Sequence, residues 1–264
     1  MHKISLYQVD AFTDRLFSGN PAAVCPLQGS LSVELMQSIA AENNLSETAF
    51  VDISASPFRI RWFTPLAEID LCGHATLASA RILFDEYLDP DCSEISFSSN
   101  SGPLRVFKRS DKLFLDFPRD DPVELDEELT LRSVIERAIG QDPERIFKGR
   151  DDFLAVVSSQ HDIETIRPKL ENLEALPSRG LIVSAVGDEV DFVSRCFFPD
   201  IGEDPVTGSA HTLMTPYWAS FFGKDRLIAR QCSVRGGILE CELLDDRVTI
   251  GGSTVRYLDG EIYV

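Results

Sequence analysis

The sequence predicts an α+β fold in which mixed or antiparallel sheets wrap around helices. Segments with strand-like alternation outnumber helical segments, and each half of the chain has one long apolar helix. The segments do not alternate regularly between strand and helix, so a series of parallel strand–helix–strand units is not expected. A similar order of motifs recurs along the chain, which favours two related halves.

The first half is predicted from alternation, turn residues and helix caps. Ser32 is a suitable N-cap for a helix that ends at Asn43 and Asn44. A Gly-Asn-Pro turn within 17–25 leads into a strand. The other predicted elements are strands at 3–12, 46–53, 57–63, 94–99, 103–108 and 112–117 and a helix at 73–88.

The proline-bearing, charged and aperiodic stretch 118–128 is the predicted linker. After it come helices near 129–139 and 208–222, strands near 153–158, 181–186 and 191–198, and several short C-terminal strands. We therefore expect an N-terminal half at 1–118, joined by the C-terminal strand 254–264, and a C-terminal half at 119–253. The active site is expected between these halves.

Composition limits the classes of partner. The 264 residues include 43 acidic and 25 basic side chains, a net charge of −18. An acidic surface repels phosphate backbones, so we expect no nucleic-acid partner. No apolar run approaches the roughly 20 residues of a membrane helix, and the strand-like first ten residues argue against a signal peptide, so no membrane partner is expected. The six cysteines lack CxxC or framework spacing, which is typical of reduced thiols and predicts a cytoplasmic protein.

An internal repeat links the two most informative motifs. The repeated positions are Arg61, Phe63, Pro65 and Asp70 in the first half and Arg195, Phe197, Pro199 and Asp204 in the second. After a slip of one residue, Gly73-His74-Ala75 corresponds to Gly208-Ser209-Ala210. A chance match is the alternative explanation. If the repeat is genuine, each half contains a helix start with unpaired backbone amides, which would bind a carboxylate or a developing oxyanion.

Several kinds of chemistry fit the residues poorly. The segment GEDPVTGSAH (202–211) lacks the lysine of a phosphate loop, and Ser209 is not in the GxSxG context of a serine hydrolase. Metal binding lacks paired Cys/His spacing, since Cys72-x-His74 stands alone. Proton transfer remains, with Glu47 in a loop between a helix end and a strand. Taken singly, Glu47, His74, Asp70 and Asp204 could each be a solvated or capping residue.

Over essentially its full length the chain resembles the PhzF-like family of phenazine biosynthesis, which is related to the diaminopimelate epimerase fold. The resemblance is carried by QVDAFTDRLFSGNPAAVC (8–25), AAENNLSETAFV (40–51), RWFTPLAEIDLCGHATLASA (61–80) and GEDPVTGSAHTL (202–213). It implies two pseudo-symmetric halves, each a β-barrel-like sheet around a central helix. It also implies a homodimer without a metal or organic cofactor, acting on a small carboxylate.

The resemblance also implies roles for individual residues. Glu47 of the LSE motif would be the catalytic acid/base, with His74 and Asp204 as its catalytic partners. Substrate binding would involve Gly73, Gly208 and Ser209, and we add Asp70 from the repeat. The expected function is a cofactor-independent isomerase that moves a proton between carbons of a small amino- or hydroxy-carboxylate.

The sequence departs from two-thiol epimerases of the same fold. Cys72 precedes Gly73, but its counterpart before Gly208 is Thr207. A two-thiol epimerase is therefore not expected, and Cys72 is interpreted as a packed residue. His211 could narrow the pocket or lie on the far face of its helix. A thiol racemase and a non-catalytic protein that binds small carboxylates remain the alternatives, and the substrate does not follow from the motifs.

Overall fold

The structure, a computed structural model, describes residues 3–125 and 129–264. The chain forms two compact units, one of Met1–Asp116 with Gly251–Val264 and the other of Phe117–Ile250. Of the predicted linker, 126–128 lie outside the described residues, and Val123–Glu124 form a short strand. None of the helices in the described ranges combines the length and apolarity that crossing a membrane would require.

The first unit contains strands of mixed direction and two helices. Its elements from the N-terminus are β1 (Lys3–Ala11), β2 (Asn20–Leu27), α1 (Val33–Asn43), β3 (Glu47–Asp52), β4 (Phe58–Phe63), β5 (Glu68–Ile69), α2 (Gly73–Glu86), β6 (Glu94–Ser99), β7 (Gly102–Arg109) and β8 (Lys112–Pro118). β2 pairs antiparallel with β1 and parallel with β3, and β3 pairs antiparallel with β4. β4 pairs antiparallel with β5 and parallel with β6, after which β6, β7 and β8 follow one another in antiparallel order.

Helix α1 is closed at both ends by its own sequence. The Ser32 hydroxyl accepts a hydrogen bond from the backbone N–H of Leu35 at 3.2 Å, which confirms the predicted N-cap. Asn44 adopts a left-handed conformation (φ 49°), and its N–H donates to Ala40 at 3.1 Å. This abrupt end leads the chain into β3 within three residues, so that Glu47 becomes the first residue of that strand.

Helix α2 is the central helix of the first unit. Every residue from Gly73 to Ala80 is buried, as expected of a helix that is surrounded by packed structure. Cys72 holds the N-cap position but makes no capping hydrogen bond with its side chain. The helix ends at Glu86, two residues before the predicted end, because the backbone of Tyr87 leaves the helical region.

The second unit repeats this order of strands. Its elements are β9 (Val123–Glu124), α3 (Leu129–Ile139), β10 (Arg145–Lys148), β11 (Asp152–Val156), α4 (Gln160–Thr165), β12 (Gly180–Val186), β13 (Phe192–Phe198), β14 (Gly202–Asp204), α5 (His211–Phe222), β15 (Arg226–Gln231), β16 (Gly237–Leu243) and β17 (Arg247–Gly252), with a 3₁₀ helix at Leu170–Ala175. β11 pairs antiparallel with β10 and parallel with β12, and β12 pairs antiparallel with β13. β13 pairs antiparallel with β14 and parallel with β15, which is antiparallel to β16.

The same ion pair recurs at the same place in both units. In the first unit, Arg61 of β4 donates from Nε and Nη2 to both oxygens of Glu68, each at 2.7 Å. In the second, Arg195 of β13 makes the same two-pronged contact with Glu203 at 2.6 and 2.8 Å. Because Arg61 and Arg195 are repeat partners in the sequence, these contacts support a genuine repeat.

Helix α5 begins later than the sequence predicted. The prediction started it at 208, but Gly208–Ala210 form a turn and the α-helix begins at His211. The amides of His211 and Thr212 bond to the carbonyl groups three residues earlier, so this first turn is tighter than an α-helical turn. Pro216 lies inside the helix and cannot donate to the carbonyl of Thr212, which instead accepts the N–H of Asp120 at 3.3 Å.

The C-terminal strand β18 (Thr254–Tyr263) returns to the first unit. It pairs antiparallel with β1 over almost the full length of both strands, from Lys3 opposite Tyr263 to Ala11 opposite Thr254. Several of its apolar side chains remain exposed, including Tyr257 and Tyr263.

Candidate active site

The first unit brings the predicted acid/base and the predicted histidine into contact. Glu47 begins β3, opposite Ala22 of the parallel strand β2, and His74 lies in the first turn of α2. Oε2 of Glu47 is 2.9 Å from Nε2 of His74, with side chains 12% and 6% exposed. The two residues lie on different elements, β3 and α2, so the fold creates this pair.

One oxygen of Glu47 is paired with His74. Oε2 is shielded from solvent, lies 2.9 Å from Nε2 of His74 and has no other partner among the described residues. Because a buried carboxylate is costly unless it is paired, this contact favours a protonated His74. The Glu47 side chain as a whole is 12% exposed, so part of it remains open to a ligand.

The opposite side of the imidazole is held by Asn20, which sequence analysis did not identify. The side-chain amide of Asn20 lies 3.1 Å from Nδ1 of His74, and Asn20 is fully buried. When His74 is protonated, Nδ1–H donates and the amide oxygen of Asn20 is the group that accepts. This contact fixes the ring so that Nε2 faces Glu47. The Gly-Asn-Pro motif was interpreted as a turn, and nothing in its local sequence indicated that its side chain would reach α2.

Cys72 lies against the same imidazole. Its sulfur is 3.5 Å from Nδ1 and 4.0 Å from Nε2 of His74. Burial and the carboxylate of Glu47 together raise the pKa of the Cys72 thiol to about 11. The thiol therefore stays protonated near neutral pH, which disfavours Cys72 as the base of a thiol racemase.

His74 has an altered pKa as well. Burial lowers the pKa of its imidazole, but the hydrogen bonds to Cys72 and Glu47 and the negative charge of Glu47 outweigh burial and raise this pKa well above its ordinary value. His74 and Glu47 are thus suited to an imidazolium–carboxylate pair.

Glu47, Cys72 and His74 are also a conceivable metal site. Their ligand atoms all lie within 4.8 Å of one another, and carboxylate, thiolate and imidazole are groups that bind zinc. The geometry fits poorly, because the sulfur is almost equally distant from both ring nitrogens, whereas a metal bound to the imidazole would lie along the lone pair of one nitrogen. The arrangement is that of packed side chains.

In the second unit the motif GEDPVTGSAH forms a braced loop ahead of α5. The hydroxyl of Thr207 donates to the carboxylate of Asp204, so Asp204 is tied within its own loop. Gln231, fully buried at the end of β15, accepts the N–H of Thr207 at 2.8 Å and donates to the carbonyl of Asp204 at 2.7 Å. Sequence analysis did not identify Gln231, because it lies 24 residues beyond Thr207 in an ordinary strand.

Ser209 has a charged neighbour that sequence analysis did not identify. Its hydroxyl oxygen accepts a hydrogen bond from Nη2 of Arg179 at 3.3 Å. Gly208 is buried beside it, and the amides of 208–210 precede the first hydrogen bonds of the helix. This turn and Arg179 therefore form a second group of polar residues, in the second unit.

Asp70 and His211 occupy different environments. Asp70 is exposed in a bend three residues before α2, and the N-cap of that helix is Cys72. His211 is fully buried, its ring Nδ1 pairs with the carbonyl of Thr207 at 2.8 Å, and it packs against Phe192. Burial lowers the pKa of His211 to about 4, so it remains neutral and acts as a structural residue of the loop.

The family model described as "Phenazine biosynthesis-like protein" matches residues 9–260. The chain belongs to this family. An uncharacterized isomerase of Pseudomonas aeruginosa is 47% identical over 98% of both chains. A crystal structure of a phenazine biosynthesis protein of the PhzF family from Enterococcus faecalis has a TM-score of 0.94, with 44% identity and full coverage of both chains.

A more distant structure shows how far the fold extends. A hydroxyproline epimerase from Agrobacterium vitis, solved with bound trans-4-hydroxy-L-proline, has a TM-score of 0.64 at 10% identity and covers 98% of this chain and 92% of its own. At that identity the likeness shows the fold alone. It confirms the predicted epimerase-like architecture, while the membership of the PhzF-like family supports an isomerase function in general terms.

Proposed function

We propose that this protein is a cofactor-independent isomerase in which Glu47 moves a proton between two carbons of a small amino- or hydroxy-carboxylate. The observation that carries the proposal is the contact between Glu47 and His74, in which Oε2 lies 2.9 Å from Nε2 while the Glu47 side chain stays 12% exposed. A carboxylate that is held beside an imidazolium and is still partly exposed can accept a proton from a substrate carbon.

The proton transfer would occur in two steps. The Glu47 carboxylate removes a proton from a carbon of the substrate, and the bonding electrons move into the adjacent conjugated system. Glu47, now protonated, returns the proton to a second carbon of that system. No atom is gained or lost, and one carboxylate serves as base and then as acid.

His74 would stabilise charge in both steps. Before the transfer, its imidazolium balances the negative charge of Glu47, which agrees with the raised pKa of His74. Once Glu47 is neutral, the same positive charge faces the negative charge that develops on the substrate. Asn20 holds Nδ1 and thereby keeps Nε2 directed at the reacting groups.

Gly73, Gly208 and Ser209 are the proposed substrate-binding residues, and Asp204 is a proposed catalytic partner. Asp204 is braced by Thr207 and Gln231, and so it can orient a group of the substrate without moving. Asp70, being exposed, has the weakest support among the predicted binding residues.

The test follows exchange at carbon in deuterated water by proton NMR over a panel of amino acids, hydroxy acids and dihydroaromatic carboxylates. Glu47→Gln keeps the shape of the side chain but removes the base, and should lower the exchange rate by about 10²–10⁴-fold. Glu42→Gln is the matched control, because Glu42 is an exposed glutamate on α1. Undiminished exchange in Glu47→Gln would disprove the mechanism.

A protein that binds these carboxylates without any exchange of carbon-bound hydrogen would instead be a non-catalytic binding protein on the same fold. Inactivation by alkylation of Cys72, with Glu47→Gln fully active, would indicate a thiol racemase.

A further inference from the structure

We infer that Arg179, together with Ser209, binds a negatively charged carboxylate group of the ligand. This inference extends the proposed function, since it names the group that selects a charged ligand over a neutral one. It depends on contacts within the second unit alone.

Arg179 is held in place by a buried acid. Its Nε and Nη2 donate to the two oxygens of Asp152 at 3.1 and 2.5 Å. The Asp152 side chain is 6% exposed, whereas the Arg179 side chain is 45% exposed. The guanidinium also lies over the ring of Phe198, 5.4 Å from its centroid, and the backbone N–H of Arg179 donates to Asp151 at 2.8 Å. A guanidinium that is held in one orientation and is partly exposed is suited to binding a planar anion.

The hydrogen-bond donors of Arg179 are not exhausted by these contacts. A guanidinium has five N–H groups. Nε and Nη2 serve Asp152 and Ser209, while Nη1 makes no hydrogen bond to any residue that the structure describes. Because the Ser209 oxygen accepts from Arg179, its own hydrogen is available to a ligand. The exposed side of this pair therefore offers donors, which match the acceptors of a carboxylate.

The internal repeat places Arg179 one position before the counterpart of the proposed catalytic base. Thr48 pairs with Phe63 and Leu181 pairs with the repeat partner Phe197, so Glu47 corresponds to Gly180. Arg179 therefore directly precedes β12, the strand equivalent to β3. Glu47 contacts His74 at the start of α2, and Arg179 contacts Ser209 in the turn before α5. The neighbouring positions of the two units thus carry a carboxylate and a guanidinium that each contact the start of the next central helix.

A purely structural ion pair between Arg179 and Asp152 is the competing explanation. It accounts for Nε and Nη2, but it does not require a hydrogen bond to Ser209 or an arginine that remains half exposed. Since Asp152 already balances one positive charge, we expect selective but weak binding, in the millimolar range for a ligand of four heavy atoms.

The probe is acetate, with acetamide as its uncharged analogue at constant ionic strength. Two-dimensional ¹H–¹⁵N NMR follows the Nε–H signal of Arg179, assigned by its absence from Arg179→Lys, and the amide signal of Ser209. Acetate should shift both saturably, and acetamide should bind at least about tenfold more weakly. No saturable shift in the wild-type protein would overturn the inference.

Variants separate binding from folding. Arg179→Gln alone would leave the buried Asp152 unpaired, so it is combined with Asp152→Asn, and we expect acetate to bind at least about tenfold more weakly to the double variant. Arg179→Lys keeps the positive charge but lacks the paired N–H donors of the guanidinium, so it should also bind acetate more weakly. This variant provides the test if the double variant does not fold. Wild-type affinity in a folded double variant, or in Arg179→Lys if the double variant does not fold, would overturn the inference.

The Glu47→Gln variant distinguishes the two proposals. It should bind acetate as the wild-type protein does while losing exchange at carbon. If Glu47→Gln stays fully active and the double variant still loses acetate binding, the proposed function fails and the role of Arg179 stands. If Glu47→Gln is inactive and the double variant binds acetate normally, the opposite holds.

Discussion

The two units use one pattern of strands to build two different chemical environments. In the first, Glu47, His74 and Cys72 form a largely buried group in which the carboxylate lies 2.9 Å from the imidazole. In the second, Arg179 directly precedes the strand equivalent to β3 and donates to Ser209, while its side chain stays 45% exposed. The strand pairing is shared, so a few side chains at the starts of β3 and β12 decide whether a unit presents a base or a cation.

The two histidines near the central helices show the same divergence. His74 lies between a carboxylate and a thiol, and these neighbours raise its pKa well above its ordinary value despite burial. His211 lies against Phe192 and a carbonyl group, and burial lowers its pKa to about 4. Equal burial has opposite outcomes because a charged partner is present in one case and absent in the other.

The largest expected effect compares the two repeated ion pairs. Arg195→Met should destabilise the protein by about 3–5 kcal/mol. The Arg195 side chain is only 9% exposed, and its removal takes a hydrogen-bond donor away from Glu203 and from the carbonyl groups of Ile163 and Ile166. Arg61→Met should cost about 1–2 kcal/mol, since that pair is more exposed and has fewer partners. Urea unfolding measures both. Equal costs would show that burial does not distinguish the pairs.

The next prediction separates the histidines by activity. His74→Asn removes the positive charge beside Glu47 and should lower kcat about 10²–10³-fold, which corresponds to about 2.7–4 kcal/mol. His211→Gln can still donate to Thr207 and should keep kcat within about tenfold of the wild type. The assay is the carbon-exchange measurement on an accepted substrate. A similar loss in both variants would contradict the assigned roles.

The pH dependence of stability should also distinguish the histidines. Between pH 6.5 and about 4 the unfolded chain binds a proton that buried His211 does not, so the free energy of unfolding falls as the pH falls. The slope is about 1.4 kcal/mol per pH unit and the total about 3 kcal/mol. Unfolding of wild type and His211→Gln at several pH values measures it. If the free energy of unfolding falls equally with pH in both proteins, His211 is not a buried, neutral residue.

His74 should behave with the opposite sign. Its raised pKa in the folded protein means that the folded state holds a proton which the unfolded chain releases above about pH 6.5. The stabilising contribution is therefore complete below that pH and is lost as the pH rises through the folded pKa. The stability difference between wild type and His74→Asn should shrink with rising pH, and a difference that grows would reverse the assignment.

The smallest expected effect is that of replacing Cys72, the residue before α2. Cys72→Ser keeps a small side chain next to His74 and should change kcat by less than about tenfold, or about 1.4 kcal/mol. The protonated thiol of Cys72 is not required by a glutamate mechanism. A thousandfold loss in this variant would instead favour a thiol base.

Much of the fold was accessible from the sequence because its rules are local. The Ser32 cap, the end of α1 at Asn44 and the alternation of the strands each depend on residues within a few positions of one another. The start of α5 was predicted three residues early, since Gly208–Ala210 form a tighter turn that composition does not distinguish from a helix. The N-terminal half was predicted to end at 118, and the corresponding part of the first unit ends at Asp116 in the structure.

The candidate site was only partly accessible. Glu47, His74 and Ser209 were found through motifs, but Asn20, Gln231 and Arg179 were not. Asn20 acts on a residue 54 positions away, and Arg179 on one 30 positions away. No periodicity or cap rule connects residues at such separations, so their partners become visible when the strands are paired.

The sequence by itself determined the longer helices and most of the strands, the repeat and the family, because these follow from local propensity and from motifs that are contiguous in the chain. The short helix α4 (Gln160–Thr165) was not predicted. The tertiary structure decided the chemistry of individual side chains. It brought Glu47 within 2.9 Å of His74, and burial set the pKa of His211 at about 4. Burial and long-range contacts fix charge states, and neither is encoded in the neighbouring residues of the chain.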